Sequence, residues 1–405
     1  MPSTGRRSET AFWLSALVLS LSLTPQPAQS QTLTVLYHFT GGADGGYPTS
    51  DVVVDTQGNV YGTTSGGGSA NMGTVFRVSA NGKETVIHSF TGAPDGAFPS
   101  AGLLADKNGN LYGTTYHGGD LSCDPTFGGC GTVFKIDHTG KETILHSFEA
   151  DEGTNPLAGL ISDTQGNLYG TTFQGGDLGC ASNEIGCGTI FELDKNGRFT
   201  VLHVFAGAPD AANVSARLTL DAQGNLYGTS EAGGDFDCSP NYGGCGTVFR
   251  LDTTGHNTVL HSFLGYPTDG EVPEAPVFLD AAGNVYGTAY AGGANVDGTM
   301  FRIDPAGNQV FYSFPSGFGP SGPEGPLVPK TGGFVFGATL GGGRHSSGTI
   351  FRLDKNGRLA TIHTFTGADG DSPMGGLVRD VAGNLYGTTY FGGKFGVGVV
   401  FKLAQ

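Results

Sequence analysis

The sequence predicts an all-β chain folded as a seven-bladed β-propeller of four-stranded antiparallel blades. Three motifs carry that prediction, and each counts to seven. GN(L/V)YGT places tyrosine at 61, 112, 169, 227, 286 and 386, with Phe336 as a seventh, altered copy. GT(V/I/M)F begins at Gly73, Gly131, Gly188, Gly246, Gly298 and Gly348, and returns at Gly398 as GVVF. HSF and its variants place phenylalanine at 39, 90, 148, 205, 263, 314 and 365. A four-stranded unit repeating every roughly 40–60 residues is the mark of a propeller; solenoid coils are shorter, and a sandwich has no reason for a sevenfold unit. No sustained 3.6-residue period supports helical repeats.

Each unit reads as four short runs rich in β-branched and aromatic residues. In the second unit they are A (Ala101–Ala105), B (Asn110–Thr115), C (Gly131–Ile136) and D (Glu142–Phe148). Asp106-Lys107-Asn108-Gly109 joins A to B, and Asp137-His138-Thr139-Gly140 joins C to D. Aspartate caps such a turn and glycine takes its left-handed position. The phasing also predicts how the ring closes. The chain begins, after its first thirty residues, with a D run (Thr32–Phe39) and ends with a C run (Gly398–Leu403). The N-terminal run should therefore complete the last blade and remove two exposed edges.

Residues 1–30 read as a secretory signal peptide, and residues 31–405 as one propeller domain. Arg6 and Arg7 precede an apolar stretch too short to span a bilayer, and Ala28-Gln29-Ser30 offers small residues for cleavage. Without that segment the formal charge moves from −16 to −17. So acidic a surface excludes nucleic acid as a partner, since phosphate affinity needs clustered Lys and Arg. No other apolar run is long enough to insert in a membrane. A soluble monomer, extracellular or periplasmic, is expected. The six cysteines form three evenly spaced pairs, Cys123/Cys130, Cys180/Cys187 and Cys238/Cys245. The repeated spacing favours three local disulfides formed in an oxidising compartment. Zinc would need a second ligand pair that no cysteine pair has.

The units resemble the Gloeo-Verruco ("GloVer") tandem repeat of exported bacterial proteins. The residues that carry the resemblance are GNLYGTT at 109–115 and 166–172, GTVF at 131–134 and 246–249, and HSF at 146–148 and 261–263. It covers essentially residues 31–405, and it implies a surface or secreted location without implying an activity. Members of that family often carry a C-terminal anchor. Here Gln405 directly follows a strand, so release is the expectation.

Candidate chemistry divides into what repeats and what does not. Tyr37, His88, His146, His203, His261, Tyr312 and His363 stand two places before the third motif's phenylalanine. One per blade and radiating outward, they cannot converge, and are expected to bond a neighbouring strand or loop. The tyrosine of YGT is expected to be structural too, its following glycine admitting the next blade. Asp44, Asp95, Asp210 and Asp369 recur in the D-to-A connections. They read as turn aspartates, with calcium as the alternative, although no copy has the oxygen density of an EF-hand loop. No resident cofactor or other metal is predicted. Nucleophile-elbow, zinc-protease and phosphate-loop signatures are absent.

What breaks the symmetry is the B-to-C loop, long and cysteine-closed in units 2, 3 and 4. Its tips carry Phe127, Ile185 and Tyr242, and its glycines are followed by Asp120, Asp177 and Asp235. In units 6 and 7 that last position holds Arg344 and Lys394. These eight residues are the candidate binding rim, on the face shared by the B-to-C and D-to-A loops. The acids could equally cap their own loops. The function this supports is a non-catalytic binding or adhesion propeller for an extracellular glycan or protein. A secreted polysaccharide hydrolase or lyase and a structural envelope protein are the alternatives, since carboxylates for glycoside cleavage could still converge in space.

Overall fold

A computed structural model describes residues 31–124, 128–180, 185–239, 243–330, 333–354 and 357–405. Gln31–Gln405 is one compact unit. Residues 1–30, to which the signal-peptide expectation belongs, lie outside the described residues.

The D runs hold the fold together, and their phenylalanines show how. Each packs edge-on against the C-run phenylalanine of the next blade. The pairs are Phe39–Phe76, Phe90–Phe134, Phe148–Phe191, Phe205–Phe249, Phe263–Phe301, Phe314–Phe351 and Phe365–Phe401, with ring centroids 5.0 to 5.5 Å apart. All fourteen rings are buried. Edge-to-face contact adds about 0.5–1.5 kcal/mol per pair to the burial itself.

Around these contacts stand seven four-stranded antiparallel sheets, each in the order A-B-C-D, and no helix occurs among the described residues. The second blade consists of Leu104–Ala105, Leu111–Thr115, Thr132–Ile136 and Glu142–Ser147. Its first strand is shorter than the predicted Ala101–Ala105. The residues before Leu104 line the ring centre, where they meet neighbouring blades instead of pairing in their own sheet. A Cβ on Gly102 would lie 3.3 Å from the Asp51 carbonyl oxygen of the first blade.

The glycine of YGT answers to a different neighbour than the sequence suggests. A Cβ on Gly113 would sit 2.5 Å from Cζ of Phe134, its register partner in the same blade. The glycine makes room for its own blade's phenylalanine, which the next-blade reading did not foresee. The tyrosine and asparagine of GN(L/V)Y are tethers. Asp106 accepts hydrogen bonds from the Asn108 and Asn110 amides (2.8 and 2.9 Å), from Asn110 Nδ2 (2.7 Å) and from the Tyr112 hydroxyl (3.3 Å).

A β-bulge shifts the register within the C/D pair of six blades, as between Val133 and Phe134. The bulge re-aims the residue that follows it, and the histidine row then meets the acid of its own D-to-A loop. His88 pairs with Asp95 (3.3 Å), His146 with Glu152 (2.8 Å), His203 with Asp210 (3.1 Å), His261 with Asp269 (2.8 Å) and His363 with Asp369 (2.9 Å). Tyr37 bonds Asp44 in the same way at 2.8 Å. Each acid also accepts a backbone amide of its loop, such as that of Thr91 at 2.9 Å or Thr366 at 2.8 Å. The repeated aspartates are thus loop clasps. The fifth blade has a regular C/D register, and no acid stands between Tyr312 and Gly322, where the other loops carry their clasp.

The seventh blade is closed by the N-terminal strand. Leu33–His38 pairs antiparallel with Val399–Leu403, from Leu33 opposite Leu403 to His38 opposite Val399. The strand brings Phe39 to Phe76 of the first blade, so it supplies the seventh phenylalanine contact as well as an edge. Deleting residues 31–40 should therefore lower the unfolding temperature and promote association through the bared Val399–Leu403 edge. A truncated protein that stays monomeric and melts with the parent would refute closure.

Candidate functional site: the axial mouth of the loop face

Each D-to-A loop pairs with the B-to-C loop of the blade it enters, as Gly96–Ala97 does with His117–Gly118 and Gly46 with Gly66. The two loop sets share one face, as the repeat phasing requires.

The stapled loops are as predicted. Cys123–Cys130, Cys180–Cys187 and Cys238–Cys245 are disulfide-bonded, and no described cysteine is free. Such bonds fit an extracellular or periplasmic compartment. Asp120, Asp177 and Asp235 cap their loops by accepting the amides of Ser122 (2.8 Å), Gly179 (2.9 Å) and Asp237 (3.0 Å). The Ser122 amide holds the exposed Asp120 carboxyl below its ordinary range. Each acid sits in its own loop, and none is joined to Arg344 or Lys394 by an ion pair among the described residues. Arg344 is exposed, and the Lys394 ammonium lies 5.2 Å from the centre of the Phe395 ring.

Of the predicted tips, Ile185 is 38% exposed, while Phe127 and Tyr242 lie outside the described residues. The rim's larger apolar display comes from residues the sequence reading passed over. Leu121, Leu178 and Phe236, each directly after a capping aspartate, are 50%, 48% and 53% exposed. Their signal was available: three apolar residues at the same place in three consecutive units.

The centre of the face holds a more concentrated group. Asp51 of the first blade and Arg217 of the fourth form an ion pair at 3.5 Å. Blades three apart can meet only across the axis, so this pair spans the central channel. Asp51 also accepts the Gly376 amide of the seventh blade at 2.8 Å. Glu231, Glu274 and Glu324, from the fourth, fifth and sixth units, form a second acidic group whose members act on one another. The Glu274 and Glu324 carboxyls are close enough to act on each other. Burial, then the charges of Glu231 and Glu324, hold the Glu274 carboxyl far above the ordinary carboxylate range. Burial also raises Glu324 and Glu231. Glu324 Oε2 is buried without a hydrogen-bond partner. Tyr290 feels the field of both glutamates and lines a pocket of about 290 Å³ with Val296, Gly322, Leu340, Ser346 and Ser372.

Other units place Thr49, Ser100, Leu157, Ser215 and Met374 where the fifth and sixth have Glu274 and Glu324. The fold therefore tolerates small or apolar residues there, and the acids are not needed for the ring. The left-handed backbone nearby has the opposite status. Tyr47, Phe98, Asn155, Asn213, Val272 and Ser372 have φ of 54 to 59°, and Gly322 has 67° at the same repeat position. Their amides bond the end of the preceding B-to-C loop, as Asn155 does Cys130 O (2.9 Å) and Phe98 does Met72 O (2.8 Å). That corner belongs to every blade.

A family model described as the Gloeobacter/Verrucomicrobia repeat matches residues 21–242 and again 238–405. No curated protein matches the chain in sequence. Among solved structures, a streptogramin B lyase superposes with a TM-score of 0.61 at 14% identity, covering 92% of this chain and 97% of that one. The virginiamycin B lyase of Staphylococcus aureus gives 0.57 at 14% identity, covering 93% and 99%. At such identities the likeness is one of fold.

Two outcomes follow. The corner bond to the next blade is made whether or not the loop is stapled. Reduction should therefore lose only the loop-closure contribution, about 2.5 kcal/mol for each eight-residue loop, and leave the propeller folded. Circular dichroism showing global unfolding on reduction at 25 °C would contradict this. The second outcome is a stability profile with two limbs. Burial would raise Asp369, but His363 and the Thr366 amide and hydroxyl bring its carboxyl down to about 2. Its folded value is depressed, so that stabilisation is lost as pH falls from about 4 toward 2. Glu274 and Glu324 have raised folded values, so their protonated forms favour folding at low pH. That advantage fades as pH rises from about 4.3 past neutrality. Glu274→Gln/Glu324→Gln should melt higher than the parent at pH 8–9 and show a shallower alkaline limb; Glu84, pushed to about 7 by burial and Asp44, keeps part of it. Identical alkaline limbs in thermal melts would count against the raised pair.

Proposed function

The chain belongs to the Gloeobacter/Verrucomicrobia repeat family, and from that fold and the acids at its axis we propose an exported, non-catalytic binding propeller. Its ligand is a glycan, held at the axial mouth of the loop face. The observation that carries this reading is the half-buried Glu274–Glu324 pair, with Glu324 Oε2 fully buried and unpartnered. Burying two carboxylates together is costly, and five other units manage with neutral residues at the same place. Carboxylates accept hydrogen bonds from sugar hydroxyls, and an aromatic face such as Tyr290 offers a stacking surface. The rim adds Leu121, Leu178 and Phe236 on loops stiffened by disulfides, which lose little entropy when a ligand orders them. Export is supported by the signal-like residues 1–30 and by the three disulfides.

A polysaccharide hydrolase or lyase is the second reading, and one observation favours it. Two neighbouring carboxyls are both raised, Glu274 further than Glu324, and a pair held apart in this way can supply a general acid and a general base. The lyases that share the fold lend no residue to this argument.

A glycan panel presented to the purified protein separates the readings. The binding reading expects retention of at least one glycan, unchanged in length, and loss of retention by roughly tenfold or more in Glu274→Gln/Glu324→Gln. Shortened or unsaturated products that vanish in the double variant would establish the enzyme instead. Retention untouched by the double variant but lost in Leu121→Ala/Phe236→Ala would move the site to the rim.

A further inference from the structure

At several blade boundaries the clasp between D-strand side chain and loop acid is finished by a residue of the next D strand. Phe199 stacks on the His146 ring at 3.8 Å. Asn257 donates its side-chain amide to Asp210 at 2.7 Å. Phe311 packs against His261 at 5.2 Å. Between the first and second blades that residue is Glu142. There a second carboxylate faces a histidine–aspartate pair, and His88, Asp95 and Glu142 bring their ligand atoms within 4.8 Å of one another. Among the described residues no other such group of three occurs.

Glu142 has an unsatisfied oxygen there. Its Oε1 is buried and has no hydrogen-bond partner. Asn257, in the equivalent place, donates to its aspartate, whereas an ionised Glu142 repels Asp95. The other two ligands are already held in place. Asp95 Oδ2 accepts the Thr91 amide (2.9 Å) and hydroxyl (3.0 Å). The His88 ring stands edge-on to Phe90, 4.6 Å away. Groups that fix the orientation of ligating side chains are what a metal site needs outside its ligands.

We propose that His88, Asp95 and Glu142 form a divalent-metal site that takes zinc and ties the first blade to the second. One imidazole and two carboxylates, with water in the fourth position, are a zinc ligand set with bonds of about 2.0–2.2 Å. The imidazole nitrogen disfavours calcium and magnesium, which take oxygen ligands. On binding, the His88 Nε2 proton and any proton on Glu142 leave, and the direct His88–Asp95 hydrogen bond gives way to two bonds to the metal. The adjoining boundary is a built-in control. There Glu84 faces Tyr37 and Asp44 and also has a buried, unpartnered Oε1, but no nitrogen ligand is present.

Equilibrium dialysis of the chelator-stripped protein against zinc chloride, with calcium and magnesium chloride in parallel, tests this. The parent should retain one equivalent of zinc that Glu142→Gln and His88→Gln lose and that Glu84→Gln and His203→Gln keep. Zinc should also raise the unfolding temperature of the parent and not that of Glu142→Gln. Should His88→Gln fail to fold, Glu142→Gln decides, because its Oε1 makes no hydrogen bond to lose. Failure of the parent to retain zinc, or equal retention by Glu142→Gln, overturns the site.

Discussion

The edge-to-face contact between the phenylalanine that ends one blade's outer strand and the phenylalanine in the next blade's third strand governs the rest of the ring. It fixes the spacing of neighbouring sheets, because a ring edge meeting a ring face at about 5 Å leaves one comfortable approach. Other repeated features serve it. Gly113 and its equivalents leave space for the C-strand ring. The amide of Phe148 bonds the Gly131 carbonyl at 3.1 Å, which holds the D-strand ring at the end of its own blade. Even closure is an instance of it, since the N-terminal strand earns its place by delivering Phe39 as well as by covering an edge.

With the spacing set at the periphery, the seven units crowd at the centre, and there the symmetric solution runs out. Gly102 and Gly159 lie tight against neighbouring backbone and Gly376 against the Pro326 ring and the Asp51 carboxylate, whereas Asp51 and Arg217 pair across the channel. The ring thus has a packed outer wall that repeats and an inner mouth that does not. Function needs a distinct patch, and the inner mouth is where the fold leaves residue choice free. The glutamates of the fourth to sixth units occupy that freedom, on the arc following the first two stapled loops.

Much of this was legible because repeated residues report repeated contacts. Strand position, closure, the staples and the loop clasps all follow from aligning one unit with the next. The limits have physical causes. The A run looked five residues long because Ala101 and Leu103 are buried like strand residues, but their burial comes from the axis and not from sheet pairing. The role of Gly113 was misassigned because sequence spacing does not say which blade supplies the ring above it. Glu274 and Glu324 went unnoticed because they lie fifty residues apart. In each unit alone an acid after a proline looks like a loop residue; only the curvature of the ring brings the two carboxyls together. Leu121, Leu178 and Phe236 were overshadowed by the cysteines beside them.

The same logic explains why the two acid clusters of this molecule differ in meaning. At the periphery, a carboxylate next to a histidine is the rule, and it stabilises the loop it closes. Glu142 departs from that rule by adding a second acid where Phe199 and Asn257 add a ring or an amide, as Glu84 does beside Tyr37 and Asp44. At the axis the rule is a small or apolar residue, and Glu274 and Glu324 depart from it together, both carboxyls being raised by burial. Both departures cost folding free energy, because a buried carboxylate without a compensating charge is among the more expensive groups a protein interior can hold. A sevenfold repeat supplies the cheaper alternative at every such position in its own sister units. Neither departure is therefore imposed by the repeat, since sister units hold Phe199 or Asn257 in the first place and Thr49, Ser100, Leu157, Ser215 or Met374 in the second.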